Sequence, residues 1–161
     1  MLNIRLFQTS DFKQVLNILK EVVSGGDTYS LSPQSTDEEL ESFWFAKGNH
    51  VYVCAQGDDV IGTFFIRNNQ PGLGSHIANA GFMVSKYYGG RGAGRMMGEF
   101  AIVEAKQLGF DAMQFNYVVK SNTYAVELWK KLGFQVMAEI PDAFRHITLG
   151  LTPVYIMYRK L

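Results

Sequence analysis

The residues best suited to chemistry lie in a glycine-rich stretch between positions 89 and 94. Glycines occupy positions 89, 90, 92 and 94, and two arginines, Arg91 and Arg95, lie within and just after them. Glycine leaves backbone N–H groups uncovered and permits positive φ angles. An amphipathic helical pattern follows, and the first N–H groups of a helix have no acceptor within it. The stretch therefore predicts a loop that binds a phosphate-bearing anion, with the two guanidinium groups as additional donors.

Two common phosphate-binding motifs do not fit this stretch. A P-loop requires Lys-Ser or Lys-Thr after its last glycine, and neither follows Gly94. A dinucleotide fingerprint, Gly-x-Gly-x-x-Gly, would need a glycine where Met97 stands, and Gly98 comes one residue too late. The fingerprint's acidic residue is also missing. The sequence therefore disfavours a nucleotide hydrolase and a dinucleotide-dependent oxidoreductase.

The placement of charge around the loop fits a polyanionic ligand. No Asp or Glu lies between Asp59 and Glu99, whereas Arg67 and Lys86 share that interval with the two loop arginines. A stretch without acids does not repel a phosphate group, so it supports the anion-binding interpretation of the loop.

The bulk composition bounds the class of protein. The chain has 161 residues, of which 47% are hydrophobic and 19% charged, and its formal net charge is zero. This is typical of one globular domain over residues 1–161 and gives no argument for nucleic-acid or membrane binding. Without a signal-like start or a long apolar stretch, we expect a cytoplasmic protein. Cys54, the single cysteine, is interpreted as a buried thiol, and no metal is expected because no ligand cluster is recognisable.

Hydrophobic periodicity predicts an alternation of short strands and amphipathic helices. Thr9 or Ser10 is expected to cap the first helix, and Thr36 and Glu39 have capping-box spacing at the second. Hairpins come first and a strand–helix–strand crossover follows, which indicates a mixed sheet with helices on its faces. The predicted strands cover 3–7, 50–56, 60–68, 76–84, 112–119, 134–140 and 152–159, and the helices cover 11–23, a segment from 36, 94–108 and 122–132.

Two motifs in this element order resemble those of the GNAT superfamily of acyl-CoA N-acyltransferases. Gly89-Gly90-Arg91-Gly92-Ala93-Gly94 resembles motif A, (Arg/Gln)-x-x-Gly-x-(Gly/Ala), with Gly89 where the family usually has Arg or Gln. Residues 122–134 resemble motif B, Asn-x-x-Ala-x-x-Leu-Tyr-x-x-x-Gly-Phe, with Trp129 in place of Tyr. The resemblance covers nearly the whole chain. It implies an α/β (α+β) fold with a mixed, mostly antiparallel twisted sheet of about seven strands and about four helices on its faces.

The resemblance also implies direct acyl transfer from acetyl-CoA to an amine. Acyl-CoA would lie in the opening between the strands that end at Val84 and begin near Met113. Backbone groups at Phe82–Val84 would pair with the pantetheine amides, and an N–H near Met83 or Val84 would stabilise the oxyanion. Asn122 would hydrogen-bond the pantetheine, although a helix cap is its simpler interpretation. The residues expected to contact acetyl-CoA are Phe82, Met83, Val84, Gly89, Gly90, Arg91, Gly92, Ala93, Gly94, Arg95, Asn122 and Trp129.

Two departures from the family leave the proton transfers unassigned. The family's Tyr that protonates the leaving thiolate is replaced by Trp129, whose indole N–H is a donor but not a usable acid. Many relatives carry a Glu base on the strand before motif A, whereas this strand carries Asn79, which cannot take a proton. A water relay or an already neutral amine would then serve. A catalytically silent acyl-CoA-binding module is the alternative hypothesis.

Three segments carry a narrower resemblance. Residues 76–84, 113–119 and 144–146 resemble the group of the yeast proline-analogue (L-azetidine-2-carboxylate) N-acetyltransferase. This resemblance implies a small amine acceptor, specifically a cyclic imino acid, and association into a homodimer. Acetylation of a protein lysine or N-terminus is the other acceptor hypothesis.

Two asparagines and a phenylalanine are the candidate acceptor residues. Asn79 and Asn116 are the candidate catalytic and substrate-binding residues, and Phe82 is a further candidate for substrate binding. The narrower resemblance implies that the carboxylate is held by Asn79 and by groups around Asn116, with the acceptor's ring against Phe82. Gly81 predicts a β-bulge that turns Asn79 and Phe82 toward the same cavity. A satisfied buried amide is the plainer interpretation of Asn116.

Overall fold

Seven strands and four helices make up the computed structural model, which describes residues 1–161. Every predicted element is present, with ends that differ by a few residues, and the last two strands are longer than predicted. The elements are β1 (Leu2–Leu6), α1 (Phe12–Ser24), α2 (Asp37–Trp44), β2 (His50–Gln56), β3 (Asp59–Asn68), β4 (Ile77–Val84), α3 (Ala93–Gln107), β5 (Ala112–Val119), α4 (Thr123–Lys131), β6 (Gln135–His146) and β7 (Gly150–Lys160).

All seven strands belong to one sheet in the order β1-β2-β3-β4-β5-β7-β6. Every neighbouring pair is antiparallel except β4 and β5, which are parallel and joined by α3. These two strands pair only where Ile77 faces Ala112 and Ala78 faces Met113, and beyond that point they separate. The predicted mixed, mostly antiparallel sheet is confirmed, and the separation leaves a gap in its centre.

Each face of the sheet is covered by one pair of helices. On one face α3 and α4 pack their buried side chains, among them Met97 and Trp129, over the middle strands. On the other face α1 and α2 bury Leu19 and Trp44 against β2, β3 and β4. Burial of these apolar surfaces is the main stabilising contribution to such a fold. The two cores therefore fix which strand residues face which side of the gap.

Local capping interactions fix where the first two helices begin. At α2, Thr36 Oγ1 accepts from the Glu39 N–H (3.2 Å) and Glu39 Oε2 accepts from the Thr36 N–H (2.8 Å), as the capping-box prediction requires. Before α1, neither Thr9 nor Ser10 is the cap. The Asp11 carboxylate instead accepts from the Gln8 N–H (2.8 Å), because a short 3₁₀ turn precedes the helix. No helix in the structure combines the length and apolar character needed to cross a bilayer.

We expect the ion pair between Arg5 and Asp11 to make stability depend on pH at the acid end. Their side chains form two hydrogen bonds of 2.7 and 2.9 Å, and Asp11 is buried. Hydrogen bonding by Arg5 holds the pKa of Asp11 below its ordinary value. A carboxyl group with a lower pKa in the folded state stabilises that state above its unfolded pKa, and this contribution is lost as the pH falls through the folded value.

Asp11→Asn should therefore lower the free energy of unfolding by about 1–3 kcal/mol near pH 7. In urea unfolding followed by circular dichroism, the difference from the native chain should shrink as the pH falls below about 4. Asp58→Asn is the matched control, because Asp58 lies exposed in the β2–β3 turn and its carboxylate has no ion-pair partner. A difference between Asp11→Asn and the native chain that stays constant down to pH 2 would contradict this interpretation.

Candidate active site

The gap between β4 and β5 exposes backbone groups of β4 on one side. The His76 carbonyl accepts a hydrogen bond from the residue before β5 (2.9 Å), and the Ile77 carbonyl accepts one from the residue after β3 (2.7 Å). Backbone groups alternate in direction along a strand. Ala80, Phe82 and Val84 therefore direct their N–H and C=O groups into the gap, beyond the last β4–β5 pair. The strand offers the pattern of donors and acceptors that an extended amide-containing ligand needs.

The same alternation removes Met83 from this edge. Its backbone faces β3, where it stands opposite Thr63, and its side chain is buried in the core under α1 and α2. Of the predicted trio at 82–84, Phe82 and Val84 reach the gap with their own backbone groups. The Tyr29 hydroxyl also donates a hydrogen bond to the Phe82 carbonyl (3.1 Å), so the loop between α1 and α2 touches the edge of the gap.

The glycine-rich loop follows β4 after a short 3₁₀ turn, Lys86–Tyr88, and ends at the first turn of α3. Gly90 has a φ of 75° and Gly92 a φ of 83°, and a Cβ atom at either position would meet no other atom within 4 Å. Conformation and not crowding therefore requires glycine at these two positions. From Gly89 through Arg95 no backbone N–H donates to a protein acceptor. This row of free donors at a helix N-terminus is the anion-binding arrangement that the sequence predicts.

The two arginines of the loop differ in their surroundings. The Arg91 guanidinium lies 5.1 Å from the centre of the Tyr88 ring and has no acidic partner. The Arg95 guanidinium pairs with Glu99, one helical turn further along α3, at 2.8 Å. A cation already paired with a carboxylate is less available to a second anion. Arg91 is therefore the stronger candidate for contact with a phosphate group.

The motif B residues of α4 line the opposite side of the gap. Asn122 caps the helix, since its Oδ1 accepts from the Ala125 N–H (3.4 Å). This confirms the helix-cap interpretation of Asn122, and its contact with the pantetheine stays a prediction. The Trp129 ring is buried with its centre 4.8 Å from those of Phe82 and Phe115, so it fills the space under the gap between β4 and β5. Its indole N–H donates to no protein group.

Polar amides occupy the other face of the sheet, beside the part that α1 and α2 cover. Asn79 is buried, and its Nδ2 donates to the Gln114 carbonyl (2.9 Å), which joins β4 to β5 where the strands separate. The Gln114 side chain donates to Asn116 Oδ1 (3.0 Å), and Asn116 Nδ2 donates to Asn69 Oδ1 (2.6 Å). We call Asn69, Asn79, Gln114 and Asn116 the amide row. The structure thus brings the two predicted asparagines into one network.

Phe82 does not join Asn79 on that face, which corrects the predicted bulge at Gly81. The pairing of β3 with β4 runs without a register shift from Ala78 to Val84, so residues three apart point to opposite faces. A Cβ atom at Gly81 would come within 3.0 Å of the Phe65 ring and the Tyr29 hydroxyl, and this close approach accounts for the glycine. The sheet has a bulge instead in β5, between Phe115 and Val118.

Two residues beside the amide row were not among the predicted site residues. Arg67 stands directly opposite Asn79 on β3, and Tyr29 reaches the same area from the α1–α2 loop. Burial raises the pKa of the Tyr29 phenol, with the charge of Arg67 acting in the opposite direction, so the phenol is neutral and donates its proton to the Phe82 carbonyl. The acid-free interval had marked Arg67 as a cation suited to a polyanion, but not as a neighbour of Asn79, and Tyr29 lies in a polar loop without a distinguishing pattern.

No nucleophile faces the gap. Cys54 is fully buried in β2, and burial raises the pKa of its thiol, which disfavours the thiolate. His146 lies in the β6–β7 hairpin, where its Nδ1 accepts from the backbone N–H groups of Thr148 and Leu149 at 3.1 and 3.2 Å. No three side chains of the types that bind metals are grouped so that they could hold an ion. The arrangement favours a reaction between two bound substrates.

Comparisons with known proteins agree with this geometry. The family model of the GNAT acetyltransferases matches residues 14–134. N-acetyltransferase aca1 of Schizosaccharomyces pombe is 30% identical over 136 residues, which are 74% of this chain and 65% of that protein. The chain therefore spans less than two thirds of the length of this relative.

Solved structures match over a larger share of the chain. A GCN5-related N-acetyltransferase from Kribbella flavida is 39% identical, with a TM-score of 0.94 over 99% of this chain and 98% of that one. A GNAT superfamily phosphinothricin acetyltransferase from Sinorhizobium meliloti, solved in complex with acetyl-CoA, shares the fold, with 18% identity and a TM-score of 0.86 over 99% of this chain and 88% of that one. With the family model matching most of its length, the chain belongs to the GNAT acetyltransferase family.

Proposed function

We propose that this protein transfers an acetyl group from acetyl-CoA directly to the nitrogen of a small-molecule amine. The observation that carries the proposal is the continuity of two features. The unpaired N–H groups from Gly89 through Arg95 follow the strand edge that Phe82 and Val84 present to the gap, with one short 3₁₀ turn, Lys86–Tyr88, between them. A molecule with a pyrophosphate at one end and extended amides next to it matches both, and acetyl-CoA has this composition.

The chain supplies a binding group for each part of acetyl-CoA. The loop amides and Arg91 would bind the pyrophosphate, and the backbone of Phe82 and Val84 would pair with the pantetheine amides. Trp129 would close the gap from the face of α3 and α4, where its ring already lies against Phe82. Asn122 retains a free Nδ2, since its cap uses only Oδ1. Together these groups would hold an extended ligand along β4.

The chemistry requires an uncharged amine to attack the thioester carbonyl, so that a C–N bond forms and the C–S bond breaks. The proton lost by the amine would pass to water, because an asparagine side chain does not take one. Because the glycine loop lies beyond Val84, the Val84 N–H would pair with a pantetheine amide, and the Phe82 N–H, which is nearer to Asn79, would stabilise the developing oxyanion. Asn79 is fixed by its bond to the Gln114 carbonyl, and its free Oδ1 would orient the amine. Positioning two reactants in this way can supply about 7–11 kcal/mol.

The finer acceptor hypothesis is a cyclic imino acid. The amide row supports it, because amides can hydrogen-bond a carboxylate and an amine without carrying charge themselves. Phe82 is not expected to contact the acceptor's ring, since it lies on the opposite face of β4. A protein acceptor is less well supported, since the loop between α1 and α2 has no acidic cluster that would attract a basic tail.

The second candidate function is an acyl-CoA-binding module without catalysis. One observation favours it, namely that the position of the family's acidic Tyr is filled by Trp129, which is buried and donates to nothing. Both candidates predict binding of acetyl-CoA, and only the enzyme predicts release of its thiol in the presence of an amine.

A thiol-release assay tests the proposal. Acetyl-CoA is incubated with cyclic imino acids, other amino acids, aliphatic amines and a lysine peptide, and the acetylated product is identified by mass spectrometry. We expect thiol release in equal amount to an N-acetylated small molecule. Binding of acetyl-CoA without release for any amine would instead favour the silent module, and release confined to the peptide would overturn the small-molecule acceptor.

Replacement of Asn79 should separate acceptor chemistry from donor binding. We expect Asn79→Ala to lower kcat/KM for the acceptor by about 10- to 100-fold, because it removes a buried hydrogen bond and the group that orients the amine. The affinity for acetyl-CoA, measured by calorimetry, should change little. Asn68→Ala is the matched control, because Asn68 is exposed at the end of β3 and bonds only to the Gln70 carbonyl. Equal effects of the two variants would contradict the role of Asn79.

A further inference from the structure

Arg67 carries a positive charge that nothing in the protein neutralises. It lies on β3, on the face covered by α1 and α2, and its side chain is half-buried. Its guanidinium forms no ion pair and donates no hydrogen bond. The guanidinium carbon lies 5.1 Å from the centre of the Phe65 ring. A half-buried guanidinium without a partner in the protein is available to bind an anion from outside the chain.

The surroundings of Arg67 are polar and uncharged. Asn79 stands directly opposite on β4, and Tyr29 reaches over Gly81 from the α1–α2 loop. The Tyr29 phenol is neutral, because burial raises its pKa. The amide row continues along the same face of the sheet, and the sequence from Val60 to Gly98 contains no acid. An anion bound here would therefore meet one cation and several amide groups, with no carboxylate on β4 or on β3 beyond Asp59.

The position of the guanidinium decides where such an anion would lie. Arg67 and Asn79 are directly opposite on antiparallel strands, so their side chains leave the same face of the sheet about 4.5–5.5 Å apart at Cβ. The guanidinium lies over the Phe65 ring, which approaches Gly81, two residues from Asn79, so an anion held by Arg67 would lie on the face that carries Asn79. Guanidinium binds a carboxylate through two parallel hydrogen bonds, a geometry that ammonium does not provide. A small molecule that carries both an amine and a carboxylate would satisfy both residues.

We infer that Arg67 binds the carboxylate of the acceptor and so selects amino or imino acids over other amines. This inference rests on the proposed transfer reaction and names the acceptor class for it. The alternative role of Arg67 is structural, through its contact with Phe65, and would affect all acceptors alike.

The test compares one carboxylate-bearing acceptor with its carboxamide and with the parent amine that lacks the group. We expect the native chain to prefer the carboxylate over the carboxamide by about 10- to 100-fold in kcat/KM, and Arg67→Gln to remove that preference by lowering only the rate with the carboxylate. Arg67→Lys should retain part of the preference, because it keeps the charge and loses the paired hydrogen bonds. Arg91→Gln should raise KM for acetyl-CoA equally with all three acceptors.

Equal losses with all three acceptors in Arg67→Gln would overturn the inference and support the structural role. Calorimetry with an N-acetylated imino acid and with its carboxamide tests whether Arg67 binds the carboxylate without requiring any turnover. If the native chain binds the carboxylate more tightly than the carboxamide and Arg67→Gln does not, the inference stands even where no amine releases thiol, and only the proposed transfer fails. Equal binding of both compounds by the native chain would overturn it.

Discussion

Valine at both Gly90 and Gly92 should raise KM for acetyl-CoA by about 100-fold or more, while the protein still folds. A left-handed backbone costs an L-residue about 1–2 kcal/mol, and β-branched residues tolerate it least, so the two positions would leave their φ angles of 75° and 83°. The loop N–H groups would then no longer point toward one anion, and acetyl-CoA would lose most of its binding site. Initial rates at varied acetyl-CoA concentration, with calorimetry on the free protein, measure this effect.

The matched control is valine at both Gly48 and Gly109. These glycines have φ angles of 94° and 93°, and a Cβ atom at either would likewise meet nothing within 4 Å. The control pair therefore introduces comparable backbone strain away from the loop, at the start of β2 and after α3. Both double variants should lose similar stability, and only the loop variant should lose affinity for acetyl-CoA. Similar affinities in the two variants would contradict the assignment of the loop to the donor.

Trp129→Ala should lower the free energy of unfolding by about 3–5 kcal/mol, the range for removal of a large buried aromatic side chain. The ring lies against Phe82, Phe115 and Phe134 and also contacts Gly98 of α3, so its loss would leave a cavity between the sheet and two helices. Denaturant unfolding followed by circular dichroism provides the measurement. Tyr124→Ala on the same helix is the control and should cost less than about 1 kcal/mol, because that ring is 64% exposed.

Trp129→Phe separates packing from proton transfer. Since the indole N–H donates to no protein group, we expect kcat to stay within about threefold of the native value, with a modest loss of stability. A decrease of kcat by about 100-fold, with acetyl-CoA binding unchanged, would instead assign the indole N–H to the leaving thiol. The result therefore decides whether Trp129, which replaces the family's Tyr, takes part in the reaction or only packs in the core.

Most features encoded by neighbouring residues were predicted well from the sequence, the cap of α1 excepted. The free N–H groups of the glycine loop, the capping box of Thr36 and Glu39, and the cap at Asn122 each depend on residues within a few positions of one another. Interactions across a short interval leave a recognisable spacing, so their geometry follows from residue type alone.

Features that depend on distant elements were predicted poorly. Gly81 was interpreted as a bulge, yet it is required by Phe65 and Tyr29, which come from β3 and the α1–α2 loop. That error placed Asn79 and Phe82 on one face when they lie on opposite faces. Asn116 meets Asn69 across 47 positions of sequence, and no local pattern indicates such a contact. Arg67 was not predicted as a neighbour of Asn79 for the same reason, since only the sheet register places it there.

The length of β6 shows a further limit of local patterns. The sequence predicts an extended segment that ends at Ile140, because Pro141 and Asp142 usually interrupt a strand. In the structure β6 continues to His146 and pairs with β7 around a register shift between Ile140 and Phe144, where Asp142 has a φ of 54°. An edge strand tolerates such an interruption, because its outer side has no hydrogen-bonded neighbour to lose.

Hydrogen exchange of backbone amides with and without acetyl-CoA would test the central claim most directly. Saturating acetyl-CoA should protect Phe82, Val84 and the amides from Gly90 through Arg95, whose N–H groups have no protein acceptor. Gly81 and Met83 provide an internal control, because they already face β3 and should change little. This alternating pattern would place the donor along β4 and the glycine loop. Unchanged exchange along the whole of 80–95 would contradict the account.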